Sequence, residues 1–78
     1  MSASSAQIRA GRGLLGWSQA DLADAAKLSR ATVNRAESAA ASDDALATMQ
    51  RALEAAGIMF VPENGEGPGV RLRKGKRK

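Results

Sequence analysis

Arg30, Asn34 and Arg35 are the side chains of this 78-residue chain best equipped to act on a partner. An arginine guanidinium can pair bidentately with a guanine edge, and an asparagine amide with adenine. The stretch Arg30 to Ala36 contains no acid, although it carries two arginines five positions apart. It also carries Val33 and Ala36 one helical turn apart, so a helix here buries one side and keeps its polar side chains on the other. Such a helix can enter a DNA groove. The plainer alternative is a solvated basic face, and the missing acid weighs against it.

Presenting those side chains requires a second helix against the first. Gln19, Ala23, Leu28, Val33 and Glu37 stand at the spacings of a helix-turn-helix. Leu22 and Ala26 form the apolar face of the leading helix, read as Gln19 to Ala26, with Ser18 as its cap. Lys27-Leu28-Ser29 is long enough for a tight turn and for Ser29 to cap the next helix, Arg30 to about Ser38. Ala23 supplies the small residue needed where two helix backbones cross closely.

The remaining elements follow from similar signals. A first helix is expected from about Ser5 to Leu15, with Ile8, Arg12 and Leu15 on one side and Gly16 as its stop. Gly11 and Gly13 inside it each cost about 1 kcal/mol relative to alanine. Trp17, the single tryptophan, is expected to plug the corner between the first two helices. Ala39-Ala40-Ala41 reads as a loop. Ser42-Asp43-Asp44 reads as a fresh start, with a cap and two carboxylates at the positive end of a helix dipole. The fourth helix then buries Leu46, Met49, Leu53 and Ala56, and Gly57 closes it. Ile58 to Val61 and Val70 to Arg73 read as strands joined by a turn centred on Asn64-Gly65. A lone hairpin is marginal in water, so the strands must pack on the helices or pair with another chain.

Composition narrows the function. The chain has no cysteine and no histidine, which removes disulfides, thiolate metal sites and the commonest general base and metal ligand. Gly65 to Gly69 lacks the lysine and following helix of a phosphate-binding loop. Neither catalysis, a metal nor a cofactor is expected. No apolar run approaches the roughly 20 residues needed to span a bilayer, and the N-terminus has no signal-peptide core; a cytoplasmic, nucleoid-associated location is the default. Six of the twelve basic residues (Arg71, Arg73, Lys74, Lys76, Arg77, Lys78) lie in the last eight positions, where there is no acid. The formal net charge of +4 therefore comes from this tail. A basic tail on a near-neutral domain suits a polyanion partner.

The matching residues run from Ile8 to Ile58: Ile8-Arg9 and Arg12, Gly16-Trp17-Ser18-Gln19, Leu22-Ala23, Leu28 to Val33, Glu37, then Leu46, Met49 and Leu53. Together they resemble the small helix-turn-helix domain of phage repressors and the XRE-type bacterial regulators. That resemblance implies that Arg30, Ala31, Asn34 and Arg35 face bases. It implies that Ser18 and Gln19 grip a phosphate at the start of the second helix, where free N–H groups favour anions. Ser29 and Thr32 would meet the sugar–phosphate backbone, and Arg12 and Glu37 would form a structural pair setting the angle of the recognition helix. Two departures from the family pattern stand out: Lys27 occupies the turn position often held by glycine, and Ala36 replaces a larger aliphatic residue.

The expected fold is thus mainly helical, a four-helix repressor-like domain over residues 1–57. A β-hairpin extension follows over 58–73 and a disordered basic tail over 74–78. The expected function is sequence-specific DNA binding as a transcriptional regulator, a homodimer on a palindromic operator. Lys74, Lys76, Arg77 and Lys78 would track phosphates, and the apolar hairpin residues Ile58, Met59, Phe60, Val61, Val70 and Leu72 would serve dimerisation. Two other readings use a protein partner: an antitoxin that autoregulates its operon, and an antiactivator that reuses the fold without DNA.

Overall fold

Four serines start the four helices. In the computed structural model, which describes residues 3–38, 42–62 and 65–73, helix α1 spans Ser5–Leu15, α2 Gln19–Ala26, α3 Arg30–Glu37 and α4 Asp43–Ala55. The side chains of Ser4, Ser18, Ser29 and Ser42 accept the backbone N–H of Gln7, Asp21, Thr32 and Ala45 respectively. Each satisfies one of the first-turn donors that a helix cannot bond internally. Ser4 is the one cap that the sequence reading does not single out. At Ser4 and Ser18 the capping is reciprocal, because the side chains of Gln7 and Asp21 accept the cap residues' own N–H groups.

The stops are local too. Gly16 ends α1 in the left-handed region, with φ 70°, which glycine enters without steric cost. Lys27 does the same at the end of α2, with φ 58° and ψ 44°. Among the described residues it is the non-glycine position with positive φ, and it accepts left-handed strain of about 1–2 kcal/mol. The Leu28 N–H closes that turn on the Ala23 carbonyl at 2.9 Å. Helix α3 stops at Glu37, one residue before the expected end, and Ser38 caps it. Helix α4 stops at Ala55, with Ala56 as its cap.

The core lies where the four helices and the hairpin meet. Ile8, Leu22, Val33, Met49 and Leu53 are wholly buried, and Ile58 joins them. Each such aliphatic side chain contributes about 1.5–3 kcal/mol through removal from water. Ala23 and Ala36 are buried between the helices. Trp17 is half-buried and packs on the edge of the core together with Leu15 and Leu28.

Strands β1 (Ile58–Val61) and β2 (Gly69–Leu72) form an antiparallel pair, with Ile58 opposite Leu72 and Phe60 opposite Val70. Alternation turns those four side chains toward the helices, where they pack on the core. Met59 and Arg71 face each other on the outer side. The pairing that the apolar run demands is therefore met within one chain, by α1 and α4. Gln7 fastens the hairpin at its loop end: its buried amide donates to the carbonyls of Val61 (3.1 Å) and Gly69 (2.9 Å). The expected loop at 39–41, the Asn64 half of the turn and residues 74–78 lie outside the described residues.

The two helical glycines of α1 differ in purpose. A Cβ at Gly11 would stand 3.3 Å from Ile58 Cγ2 and 3.4 Å from Leu53 Cδ1, whereas one at Gly13 would meet nothing within 4 Å. Gly11 is where β1 and α4 approach α1. Gly13→Ala should therefore stabilise the domain by about 1 kcal/mol. Gly11→Ala should gain nothing, because Ile58 and Leu53 must shift. Chemical denaturation of both variants checks this; equal gains would remove the packing role of Gly11.

Candidate nucleic-acid interface

Three turns of α1 hold the end of α3. The Ser5 hydroxyl donates to the Ala36 carbonyl. Arg9 Nη1 donates to the Glu37 carbonyl at 2.6 Å. Arg12 Nε and Nη2 donate to the two carboxylate oxygens of Glu37 at 2.8 and 2.9 Å. This is the fork-to-fork geometry of a strong ion pair. Arg12 is anchored in turn by a third bond, from Nη1 to the Trp17 carbonyl at 2.9 Å.

Residues 5, 9 and 12 follow the one-face spacing of a helix. Helix α3 has no left-handed glycine at its end, so its last carbonyls take these donors instead. The sequence reading pairs Arg12 with Glu37 but gives Ser5 and Arg9 no role in holding α3. Their spacing with Arg12 was the available signal.

Glu37 is buried. Burial alone raises its pKa, but hydrogen bonds from Arg12 and Gln19 and the charges of Arg12 and Arg9 outweigh it, and the carboxyl is held below its ordinary value. The Arg12 guanidinium is pushed up by its hydrogen bond to Glu37, against desolvation. The pair is charged on both sides throughout the neutral range.

The outer surface of α3 is open. Arg30, Ala31, Asn34 and Arg35 are all exposed. Arg12, Ser18, Gln19, Ala20, Arg30, Ala31 and Asn34 line an open depression between the start of α2 and α3. The structure thus brings Ser18, Gln19, Arg30, Ala31 and Asn34 to one concave surface, with Arg35 outside that lining. In the first turn of α2 the N–H groups of Gln19 and Ala20 have no helical acceptor, which leaves donors suited to an anion. Asp21 counters part of that field, since its carboxylate accepts the Ser18 N–H at 2.9 Å. The Ser29 and Thr32 hydroxyls are 2.9 Å apart and share a hydrogen bond at the start of α3. Lys74, Lys76, Arg77 and Lys78 lie outside the described residues.

Two short helices, α2 and α3, joined by the three-residue turn Lys27-Leu28-Ser29 and packed against each other form a helix-turn-helix. The chain belongs to the XRE-type helix-turn-helix family, whose model, described as helix-turn-helix, matches residues 8–57, more than half its length. That is a family of DNA-binding regulatory domains. The match runs from α1 to the end of α4, so the hairpin follows it. No curated protein matches the chain. Among the described residues, no helix is long and apolar enough to cross a membrane.

Proposed function

We propose that this protein is a sequence-specific transcriptional regulator that reads duplex DNA with α3 in the major groove. The observation that carries the reading is the exposed face of α3, where Arg30, Asn34 and Arg35 stand free of acids while Glu37 is turned inward and neutralised by Arg12. Arg30 and Arg35 offer bidentate donors to guanine, and Ala31 leaves room for a thymine methyl group. Ser18, Gln19, Ser29 and Thr32 meet the phosphate backbone, which positions the helix without itself selecting sequence. The basic tail adds phosphate contacts.

One such domain covers too few base pairs for useful specificity. The protein acts as a homodimer on a palindromic operator, with half-sites about 34 Å apart. In the dimer, Met59 and Val61 on the outer side and the free strand edges make the hairpin contact. Ile58, Phe60, Val70 and Leu72 support that contact from within their own protomer.

Selection of bound duplexes from a random pool tests the reading, with a two-fold symmetric motif expected. Arg30→Ala and Arg35→Ala should each weaken binding to that motif by about 1–3 kcal/mol and leave non-specific binding much less changed. Parent-like operator affinity in both variants would remove α3 as the reading element.

A further inference from the structure

Helix α1 keeps its two partners on opposite faces. Ser5, Arg9 and Arg12 hold the end of α3, while Gln7 holds both strands of the hairpin and Gly11 lets Ile58 approach. At 3.6 residues per turn, positions 7 and 11 lie roughly 150° around the axis from positions 5, 9 and 12. A helix about 10 Å across therefore separates the hairpin from α3. The outer face of the hairpin points further away still. Ile58, Phe60, Val70 and Leu72 pack inward on the core, so alternation turns Arg71 outward. The Arg73 N–H donates to the Gly57 carbonyl at 2.7 Å, which extends the ladder by one pair and turns Arg73 to the same side. Both arginines are exposed, and among the described residues neither takes part in an ion pair. The first 70 residues carry eight acids against six bases, so positive charge gathers where β2 ends.

We propose that the outer side of β2 is a second phosphate-binding surface: Arg71 and Arg73 hold the backbone of a second DNA duplex while α3 reads the operator, a role that rests on the DNA-reading function proposed above. One bound protein then ties two DNA segments together. Neither arginine can share the duplex that α3 reads, because both point away from it across α1. A guanidinium offers a phosphate two parallel donors. Side chains two positions apart on a strand stand about 6.8 Å from each other, which matches the rise of two nucleotides along one DNA strand, about 3.4 Å each. The same surface does not suit a protein. Protein interfaces are built around buried apolar anchors, whereas the outward positions here are Gly69, Arg71 and Arg73. The apolar outward side chains, Met59 and Val61, belong to β1, and a dimer that contacts through β1 leaves both arginines on its flanks. Residues 74–78 lie outside the described residues. Five residues extend over at most about 17 Å, enough to pass α1, so the tail can serve the operator where the strand-held Arg71 and Arg73 cannot.

The test is capture of a second duplex. A selected operator is fixed to a surface and saturated with the full chain, and a labelled duplex without the motif is added at several salt concentrations. The parent should retain the labelled duplex, with an affinity that falls roughly tenfold between 50 and 200 mM salt if each arginine neutralises one phosphate. Arg71→Gln combined with Arg73→Gln should weaken capture by roughly tenfold or more, while operator affinity and thermal unfolding stay those of the parent. Arg71→Lys combined with Arg73→Lys, which keeps both charges, should retain most of the capture. Undiminished capture by the glutamine variant would overturn the proposal and assign the second duplex to the α3 of the other protomer. Operator affinity that falls in step with capture would overturn it too, by putting both arginines on the operator. No capture by the parent would overturn it and leave Arg71 and Arg73 a charged strand edge that deters pairing with other chains. A parent that selects no motif would instead overturn the DNA-reading function, and this inference with it.

Discussion

Replacing Arg12 with leucine is expected to destabilise the domain by about 3 kcal/mol and to reverse its response to acid. The size follows from leaving Glu37, whose side chain is only 3% exposed, without its main partner; the Arg12 side chain is 22% exposed, which keeps the loss at the lower end for a buried pair. In the parent the Glu37 carboxyl is held below its ordinary value. Its contribution to stability is therefore present above the unfolded-state value of about 4.3 and is lost as pH falls through the lower folded value.

In Arg12→Leu, the desolvation of Glu37 is opposed only by Gln19 and the charge of Arg9. A buried carboxyl with its pKa raised titrates the other way: stability is full below about 4.3 and declines as pH rises through the folded value. Urea denaturation between pH 3 and 8 should show the parent weakening on acidification and the variant strengthening. Parallel pH profiles would remove the ion pair as the brace of α3.

Truncation after Arg73 is the second large effect. It removes Lys74, Lys76, Arg77 and Lys78, up to four phosphate contacts per subunit. Each neutralised phosphate adds about 0.9 to the slope of log affinity against log salt. The slope should flatten by up to roughly 3–4 units per subunit if every contact forms, with affinity lowered most at low salt. The preferred operator should not change, because phosphate contacts do not read base edges. Titrations at several salt concentrations measure the slope, and an unchanged slope would leave the tail a solubility element and return all DNA affinity to the folded domain.

Much of the fold was legible because its signals are local. Ser18, Ser29 and Ser42 act within one helical turn, and the apolar positions Leu22, Val33, Met49 and Leu53 repeat with the period of the helix they bury. Lys27 at a left-handed position was legible only through the family resemblance, which sets it at the turn position often held by glycine. The hairpin was legible as two strands and a turn, but its destination was not. The pattern of Ile58 to Val61 says that one face leaves water, and it is equally consistent with a partner chain or with the chain's own helices.

By itself, then, the sequence determined the number of helices, most of their starts and stops, the presence of a helix-turn-helix and the uneven charge that ends in a basic tail. Each depends on neighbours a few positions apart. Tertiary structure decided what meets across the chain. Gln7 reaches carbonyls 54 and 62 positions away. Gly11 makes room for Ile58 and Leu53. Glu37 collects Arg12 from 25 positions and Gln19 from 18. No period or cap encodes these meetings, because a side chain's long-range partners follow from how helices cross and where their polar ends must be satisfied once water is excluded.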